Sequence, residues 1–139
     1  MVTRVLVPMD DSAMAERALR YALEVHPDAE ITVLHVVGEP SAMMGRAAGL
    51  ALADDLEEAA EEAAGEVLTR AREIAAEYDV EITTRKAVGH PARVILDRAG
   101  DYDAVVMGTH GGSLRDRLLV GNVAQRVFSR SPVPVTVVR

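Results

Sequence analysis

The sequence predicts an α/β protein in which helices cover both faces of an open, doubly wound parallel sheet of five strands. Short apolar runs alternate with stretches of helical periodicity in the order β-α-β-α-β-α-β-α-β. Parallel strands need a crossover, usually a helix, so strict alternation favours this architecture. Composition agrees, because 49% of the residues are hydrophobic but only 3% are aromatic. The core is therefore built from Val, Leu, Ile and Ala, which suits buried parallel strands. At 139 residues, we expect one domain spanning 1–139.

The first two strands and the helix between them have clear signals. Residues 2–8 form an apolar run that ends at a proline, as expected of a buried strand. Ser12 is the expected N-cap of a helix that ends at His26 and Pro27. Residues 30–37 are apolar and β-branched, which predicts the second strand.

A long connection and a long helix follow. Residues 38–50 are small or polar and exceed an ordinary strand-to-helix connection, so we expect a lid or a disordered loop. Residues 52–78 predict a helix with one apolar face. The many acidic residues at its other positions predict a solvated face. The residues assigned to the apolar face are Leu52, Leu56, Ala59, Ala63, Val67, Ile74 and Tyr78.

The second half of the chain continues the alternation. Pro91 suits the first turn of a helix, because proline has the backbone angle that this position needs and its missing N–H is not required there. The expected elements are a strand over 80–88, a helix over 92–99, a strand over 102–107, a helix over 123–129 and a strand over 133–138.

The stretch from Met107 to Asn122 is the strongest functional signal. Three glycines follow the fourth strand with the spacing Gly108-x2-Gly111-x9-Gly121, and a helix begins just after them. Glycines let backbone N–H groups approach an anion, and a helix N-terminus adds free donors and partial positive charge. The pattern predicts a phosphate cradle. In the alternative interpretation, Gly108 ends a strand, Gly111 lies in a turn, and Gly121 and Asn122 cap a helix.

Composition argues against several other classes of protein. The net charge is −7 and there is no basic run, so we expect no binding to nucleic acid or to an anionic membrane. No apolar run reaches the roughly 18 residues of a membrane span, and the N-terminus does not resemble a signal peptide, so we expect a cytoplasmic protein. There are 0 cysteines, and no Asp, Glu or His cluster has metal-ligand spacing. A metal ion would therefore arrive with the phosphates of a ligand.

The fold class places a ligand site at one edge of the sheet. In doubly wound sheets, ligands bind beyond the carboxyl ends of the strands, where the strand order reverses. The first strand ends at Pro8, followed by Asp10, and the fourth ends at the glycine loop. An acidic group on one side and an anion cradle on the other suit a nucleotide. Its base or ribose would lie near Asp10 and its phosphates near Gly111 and Gly121.

Several segments, in order along the whole chain, resemble the universal stress protein family. Residues 5–12 are similar to the family's opening strand with its Pro-x-Asp-x-Ser signature, and residues 34–37 are similar to its second strand. Residues 89–91 resemble the turn after the third strand, and residues 131–138 resemble the last strand. The glycine spacing is similar to the ATP-binding signature of the family's nucleotide-binding branch.

The resemblance implies strand order 3-2-1-4-5, bound ATP with Mg²⁺ or Mn²⁺ carried by its phosphates, and a homodimer. Asp10, close to Pro8, and the backbone of Val36 would contact adenine. Where the family usually has Ser or Thr, this chain has Asn122, whose amide can donate to a phosphate oxygen but lacks the hydroxyl. The implied ribose and phosphate contacts are Met107, Gly108 and Gly111, then Gly121, Asn122 and Val123, with His110 inside the same loop.

Three functions stay open at this point. The first is an ATP-binding regulatory module of the stress response, acting as a homodimer or through a further protein partner. The second is a dimeric interaction protein of the same fold that does not bind ATP. The third is a weak ATPase or phosphotransferase. It has the least support, because the single lysine, Lys86, lies in a strand remote from the glycine loop and only His110 could act there as an acid or base.

The expected dimer interface is the last strand, residues 133–138. Val133 and Val138 bound an apolar run, and no further sequence follows to cover its edge. An uncovered apolar edge strand pairs readily with another copy of itself. A twofold axis would make that pairing antiparallel. Because Pro132 and Pro134 lack N–H donors, we expect the ladder to be confined mostly to residues 135–138.

Overall fold

Alternating strands and helices build the chain in the computed structural model, which describes residues 2–38, 46–109 and 121–139, with side chains from 46 to 56 excepted. The elements are β1 (Arg4–Pro8), α1 (Ala13–Val25), β2 (Glu30–Val37), α2 (Arg46–Glu77), β3 (Thr83–Val88), α3 (Pro91–Ala99), β4 (Ala104–Gly108), α4 (Asn122–Arg130) and β5 (Val135–Val138). All strand pairs are parallel, in the order β3-β2-β1-β4-β5. The predicted fold class and strand order are confirmed.

Local signals in the sequence explain the ends of α1 and α3. The Ser12 hydroxyl accepts a hydrogen bond from the Ala15 N–H at 3.1 Å, so this residue is the N-cap, as predicted. At the other end, the N–H of His26 donates to the Ala22 carbonyl, after which Pro27 follows. Pro91 lies in the first turn of α3.

The helix α2 begins earlier than the sequence interpretation placed it. It starts at Arg46, so residues 46–50 are helical and the expectation of a lid or disordered loop is wrong for them. The physical reason is composition, because small residues in this stretch are largely alanine, which has the highest helix propensity. Residues 39–45 lie outside the described part of the chain.

The buried face of α2 also differs from the one predicted. Ala59 and Ala63 are exposed, whereas Val67 and Ile74 are buried as expected. Because the alanines at 63 and 64 are equally apolar, periodicity alone did not decide between them, and the larger side chains from 67 onward fix the rotation of the helix. The buried residues are Ala64, Val67, Leu68, Ala71, Ile74 and Ala75.

Strands β3, β4 and β5 begin two or three residues later than predicted. In the turn before β4, the side chain of Asp103 accepts three hydrogen bonds from the beginning of the chain. Its Oδ2 accepts from the Thr3 N–H at 2.9 Å, from the Thr3 hydroxyl at 2.7 Å and from the Arg4 N–H at 2.9 Å. These bonds join the start of β1 to the start of β4.

The core has two layers, one on each face of the sheet. Val5 and Val7 of β1 face α1 and α2, where they pack with Leu19. Leu6 between them faces α3 and α4 and packs with Ile95. This alternation buries both faces of the central strand. The strand order reverses at β1, which pairs with β2 on one side and β4 on the other, so a crevice is expected at the carboxyl ends of β1 and β4.

Candidate functional site

A cavity of about 340 Å³ opens at the carboxyl ends of β1 and β4. Its volume falls within the roughly 300–1,000 Å³ typical of small-molecule sites. The predicted residues that line it are Pro8, Asp10, Val36, Met107, Gly108, Gly121, Asn122 and Val123. His110 and Gly111 lie outside the described residues. The structure therefore brings the predicted residues of β1, β2, β4 and α4 to one cavity.

The turn after β1 holds Asp10 at the cavity wall. Its Oδ1 accepts a hydrogen bond from the Ser12 N–H at 2.9 Å, and Ser12 in turn caps α1. The side chain is half-buried. A carboxylate can accept several hydrogen bonds, so Asp10 keeps capacity for a hydroxyl or amino group of a ligand after the turn has taken one.

The backbone N–H and C=O of Val36 face the cavity, because backbone groups along a strand of a parallel ladder point alternately to its two neighbouring strands. In such a ladder the N–H and C=O of one residue point to the same neighbour, and those of the next residue point the other way. Glu30 donates to the Thr3 carbonyl at 2.8 Å, and Leu34 accepts from the Met9 N–H at 2.8 Å, so even-numbered residues of β2 face β1. Val36 is the next in that series. It lies beyond the end of β1, where it lines the cavity.

Gly108 is required by the packing of α1 against the end of β4. A Cβ added at Gly108 would lie 2.9 Å from the backbone carbon of Met14 and 2.9 Å from its Cβ. No side chain fits at that distance unless the helix moves. The glycine therefore brings the first turn of α1 close to β4, and this close approach shapes the cavity floor. The alternative interpretation, that Gly108 ends a strand, also matches its position.

The N-terminus of α4 meets the cavity, and its N-cap residue has no side chain. Its N-cap residue is Gly121, whose own N–H donates to the Thr109 carbonyl at 2.5 Å. The first helical hydrogen bond runs from the Gln125 N–H to the Gly121 carbonyl at 2.9 Å. The three N–H groups between them, at Asn122, Val123 and Ala124, belong to the helical turn that has no intrahelical acceptor. All three residues line the cavity.

The cavity has an apolar part and a polar part. Leu34, Ile95 and Met107 are buried apolar side chains that suit a flat ring. Asp10 and the N-terminus of α4 form the polar part, and the partial positive charge of the helix end favours an anion. Among the described lining residues, Asp10 is the one titratable side chain. The cavity therefore has the groups needed to bind a ligand that carries both a flat ring and an anionic group.

Sequence reasoning missed part of the cavity wall. Pro91 and Ile95 have the pattern of an ordinary helix, and nothing in that pattern says that α3 covers the carboxyl ends of β1 and β2. Thr109 directly follows the predicted fourth strand and adjoins the glycine loop, and this position could have indicated that it lines the cavity. The missed lining residues are Met9, Ser12, Ala15, Leu34, Pro91, Ile95, Thr109 and Ala124.

The described part of the chain has neither a metal-site arrangement nor a membrane-spanning helix. No group of three or more His, Asp or Glu side chains there has the arrangement of a metal site. Within the same residues, every helix is too short or too polar to cross a lipid bilayer.

Comparison with known proteins decides the family. The sequence profile named Usp, universal stress protein family, matches residues 1–139. This chain belongs to the universal stress protein family. A relative of that family, universal stress protein MJ0531 of Methanocaldococcus jannaschii, is 31% identical over an alignment of 140 positions that covers 98% of this chain and 81% of that protein.

Solved structures of universal stress proteins have the same fold. Universal stress protein UspA from Lactobacillus plantarum superposes with a TM-score of 0.85 at 26% identity, covering 99% of this chain and 98% of that one. A universal stress protein crystallised in complex with cAMP has a TM-score of 0.71 at 25% identity, covering 99% of this chain and 96% of that one.

Proposed function

We propose that this universal stress protein binds ATP in the cavity and acts as a regulatory module of the stress response in the form of a homodimer. The observation that carries the proposal is the N-terminus of α4, with its glycine N-cap, at the wall of a cavity that Asp10 also lines. Phosphates would bind at the helix end, and the nucleoside would occupy the part nearer Asp10 and Val36. Mg²⁺ or Mn²⁺ would be carried by the phosphates.

The shape and polarity of the cavity support an adenine nucleotide. Leu34, Ile95 and Met107 offer apolar surface for a base, and Val36 offers a backbone donor and acceptor at the same wall. A related universal stress protein was crystallised with cAMP. That ligand contains the adenine, ribose and phosphate that the proposed site would contact.

A substitution that adds one negative charge tests the proposed contact between the phosphates and α4. Replacing Asn122 with Asp keeps the shape of the side chain but adds a negative charge at the end of α4. A negative charge there is favourable for the helix itself but repels a bound phosphate. We therefore expect Asn122→Asp to bind Mg-ATP roughly tenfold more weakly, about 1.4 kcal/mol, without losing stability. Adenosine, which has no phosphate, should bind both proteins equally in calorimetric titrations.

Gln125→Glu is the matched control. It makes the same change from amide to carboxylate in the first turn of α4, but Gln125 does not line the cavity. Its affinity for Mg-ATP should stay near that of the unmodified protein. If the unmodified protein shows no binding at millimolar Mg-ATP, the nucleotide proposal is wrong. If Asn122→Asp binds as tightly as Gln125→Glu, the phosphates are not at α4.

The homodimer is proposed to form through β5, the edge strand next to β4. The Val105 N–H donates to the Pro134 carbonyl and the Thr109 N–H to the Val138 carbonyl, both at 2.9 Å, so even-numbered residues of this segment face β4. By the same alternation, the N–H and C=O groups of Val135 and Val137 face outward. No described residue pairs with these groups, and they form a backbone edge that a second copy of the chain can pair with.

Exposed apolar side chains on the two helices that pack against β5 support the same interface. On α1, Tyr21 and Val25 follow Arg17 at helical spacing, and the Arg17 guanidinium donates to the Arg139 carbonyl just after β5. On the opposite face, Phe128 of α4 is 47% exposed and does not line the groove between α3 and α4. Light scattering should give twice the chain mass of 14.9 kDa.

A further inference from the structure

We infer that His35 ends the ladder between β1 and β2 one hydrogen bond early and so keeps the backbone of Val36 available to a purine base. The inference rests on the proposed function and assigns a positioning role to a residue outside the cavity wall. It concerns how the site selects adenine, and it can be tested without any nucleotide.

The hydrogen-bond pattern along β2 stops one bond short of Val36. The ladder runs from the Glu30–Thr3 bond to the Met9–Leu34 bond, each 2.8 Å between N and O. The next bond would join the Val36 N–H to the Met9 carbonyl. Within residues 2–38, 46–109 and 121–139, that bond is not made.

The carbonyl that Val36 would use accepts a hydrogen bond from the side chain of His35 instead. Its Nδ1 lies 2.9 Å from the Met9 carbonyl oxygen. A carbonyl oxygen only accepts hydrogen bonds, so Nδ1 is the donor and carries the proton. His35 is half-buried in β2, next to Val36, and its ring is held by this bond. The side chain therefore takes the place of the strand's own backbone donor.

A free N–H and C=O on one residue can recognise the edge of a base. Adenine has an acceptor, N1, beside a donor, the N6 amino group. When this edge of the base faces Val36, N1 accepts from the Val36 N–H and the amino group donates to the Val36 carbonyl. Guanine places an acceptor at O6 and a donor at N1, so in the same pose donor would meet donor and acceptor would meet acceptor. If Val36 donated to Met9 instead, the N–H would be lost to the ligand and this discrimination would weaken.

Amide hydrogen exchange in the nucleotide-free protein tests the ladder directly. In the unmodified protein, the Val36 N–H should exchange at least about tenfold faster than the Leu34 N–H, which lies in the paired part of β2. In His35→Leu, Val36 is freed to donate to Met9, and its exchange should slow toward that of Leu34. The matched variant is His35→Asn, whose side-chain nitrogen lies about where Nδ1 lies, and it should keep fast exchange.

His35→Gln provides a second variant if leucine prevents folding, because its amide nitrogen corresponds to Nε2 and not to Nδ1. Slow exchange of Val36 in the unmodified protein would overturn the inference. So would unchanged exchange in both His35→Leu and His35→Gln, or equal slowing in His35→Asn. Unaltered exchange at Leu34 shows that the rest of the ladder is intact.

The affinities for Mg-ATP and Mg-GTP then test the consequence for recognition. His35→Leu should lose about tenfold in affinity for ATP, with GTP affinity unchanged, while His35→Asn keeps the ratio of the two. Absence of ATP binding in the unmodified protein would contradict the proposed function but leave the exchange result standing. Normal ATP binding with no change in the Val36 exchange would contradict the role of His35 alone.

Discussion

At the scale of single residues, Gly108 links the fold to the site. The backbone of Met14 lies so close that a Cβ at Gly108 would be 2.9 Å away. The glycine loop was interpreted from the sequence as a place where backbone approaches a ligand. At Gly108 the structure shows backbone approaching backbone, which a pattern of spacings does not distinguish. The same residue then lines the cavity.

Gly108→Ala should destabilise the protein, because the added methyl group forces α1 away from β4. We expect a loss of roughly 1–3 kcal/mol, as for other overpacked sites, measured by urea unfolding. Gly65→Ala is the control, since Gly65 lies in α2 with nothing within 4 Å of an added Cβ. It should gain roughly 0.5–1 kcal/mol from helix propensity. An equal response of the two variants would mean that the contact with Met14 is not tight.

Asn122 gives a second prediction at this scale. Asn122→Ser restores the hydroxyl that the family usually has at this position. We expect Mg-ATP to bind more tightly, by about 1 kcal/mol for one added hydrogen bond, in calorimetric titrations. Weaker binding by the serine variant would show that the amide of Asn122 is itself the better phosphate ligand.

Asp103 predicts a dependence of stability on pH. Hydrogen bonds from the Thr3 hydroxyl, then from the Thr3 and Arg4 N–H groups, lower the pKa of this carboxyl below its ordinary value. A lowered pKa in the folded state means that the charged form stabilises the fold above the ordinary aspartate pKa of about 3.9. That contribution is lost as the pH falls below this value and through the folded-state pKa.

Asp103→Asn should therefore melt at a lower temperature than the unmodified protein at pH 7, and the difference should shrink as the pH is lowered below about 3.9. Thermal unfolding followed by circular dichroism measures both. Asp101→Asn, in the same turn, serves as the control, because Arg4 contacts the backbone carbonyl of Asp101 and not its side chain. A constant difference across the whole pH range would contradict the argument.

At the scale of elements, the two edges of the sheet have different chemistry. On β3, Lys86 pairs with Glu61, and Arg72 of α2 donates to the Thr84 hydroxyl at 2.8 Å. Charged and hydrogen-bonded side chains of this kind discourage pairing with another strand. The outer edge of β5 carries the backbone groups of valines, and the helices that pack against β5 have exposed apolar side chains. This difference supports β5 as the interface.

Proline substitutions in β5 should distinguish the loss of the dimer from the loss of the fold. The N–H of Val137 faces outward, so Val137→Pro should lower the mass in light scattering to that of one 14.9 kDa chain while circular dichroism stays close to that of the unmodified protein. Thr136 faces β4, so Thr136→Pro should instead remove a hydrogen bond of the sheet and destabilise the fold. A Val137→Pro protein that is still dimeric would exclude this interface.

The elements also show what sequence patterns determine. β2 was predicted with its observed ends, because β-branched residues and flanking polar residues mark both boundaries. α1 was predicted from its Ser12 cap. The prediction of α2 was wrong at the start of the helix and partly wrong in its buried face, because alanine fits a loop, a helix interior and a helix surface equally well. Only packing against α1 and the sheet decides which alanines are buried.

At the scale of the whole molecule, strict alternation was sufficient to predict a parallel sheet with two covered faces. The strand order came from the family resemblance, since alternation alone does not say where the order reverses. The fold class and the glycine loop predicted a site between the ends of β1 and β4, and the family resemblance added Val36 of β2 together with Met107, Asn122 and Val123. α3 was missed as a wall because its path over the sheet is a property of the assembled molecule.

Ligand binding should stabilise the molecule as a whole. If ATP binds the folded chain in the cavity, Mg-ATP at 100 times its dissociation constant should raise the free energy of unfolding by roughly 2.7 kcal/mol. Thermal unfolding with and without nucleotide measures this, with Asn122→Asp at the same nucleotide concentration as the control. An unfolding temperature that ATP leaves unchanged would contradict binding to the folded state.

The helix α4 touches both proposed surfaces. Asn122 at its start lines the cavity, and the helix packs against β5, the strand of the proposed dimer interface. The helix has nine residues, from Asn122 to Arg130, and is about 13 Å long, so the two proposed surfaces lie close together. Linkage then sets a strict rule. Whatever factor ATP adds to the affinity between two copies of the chain, pairing of the copies must add to the affinity for ATP.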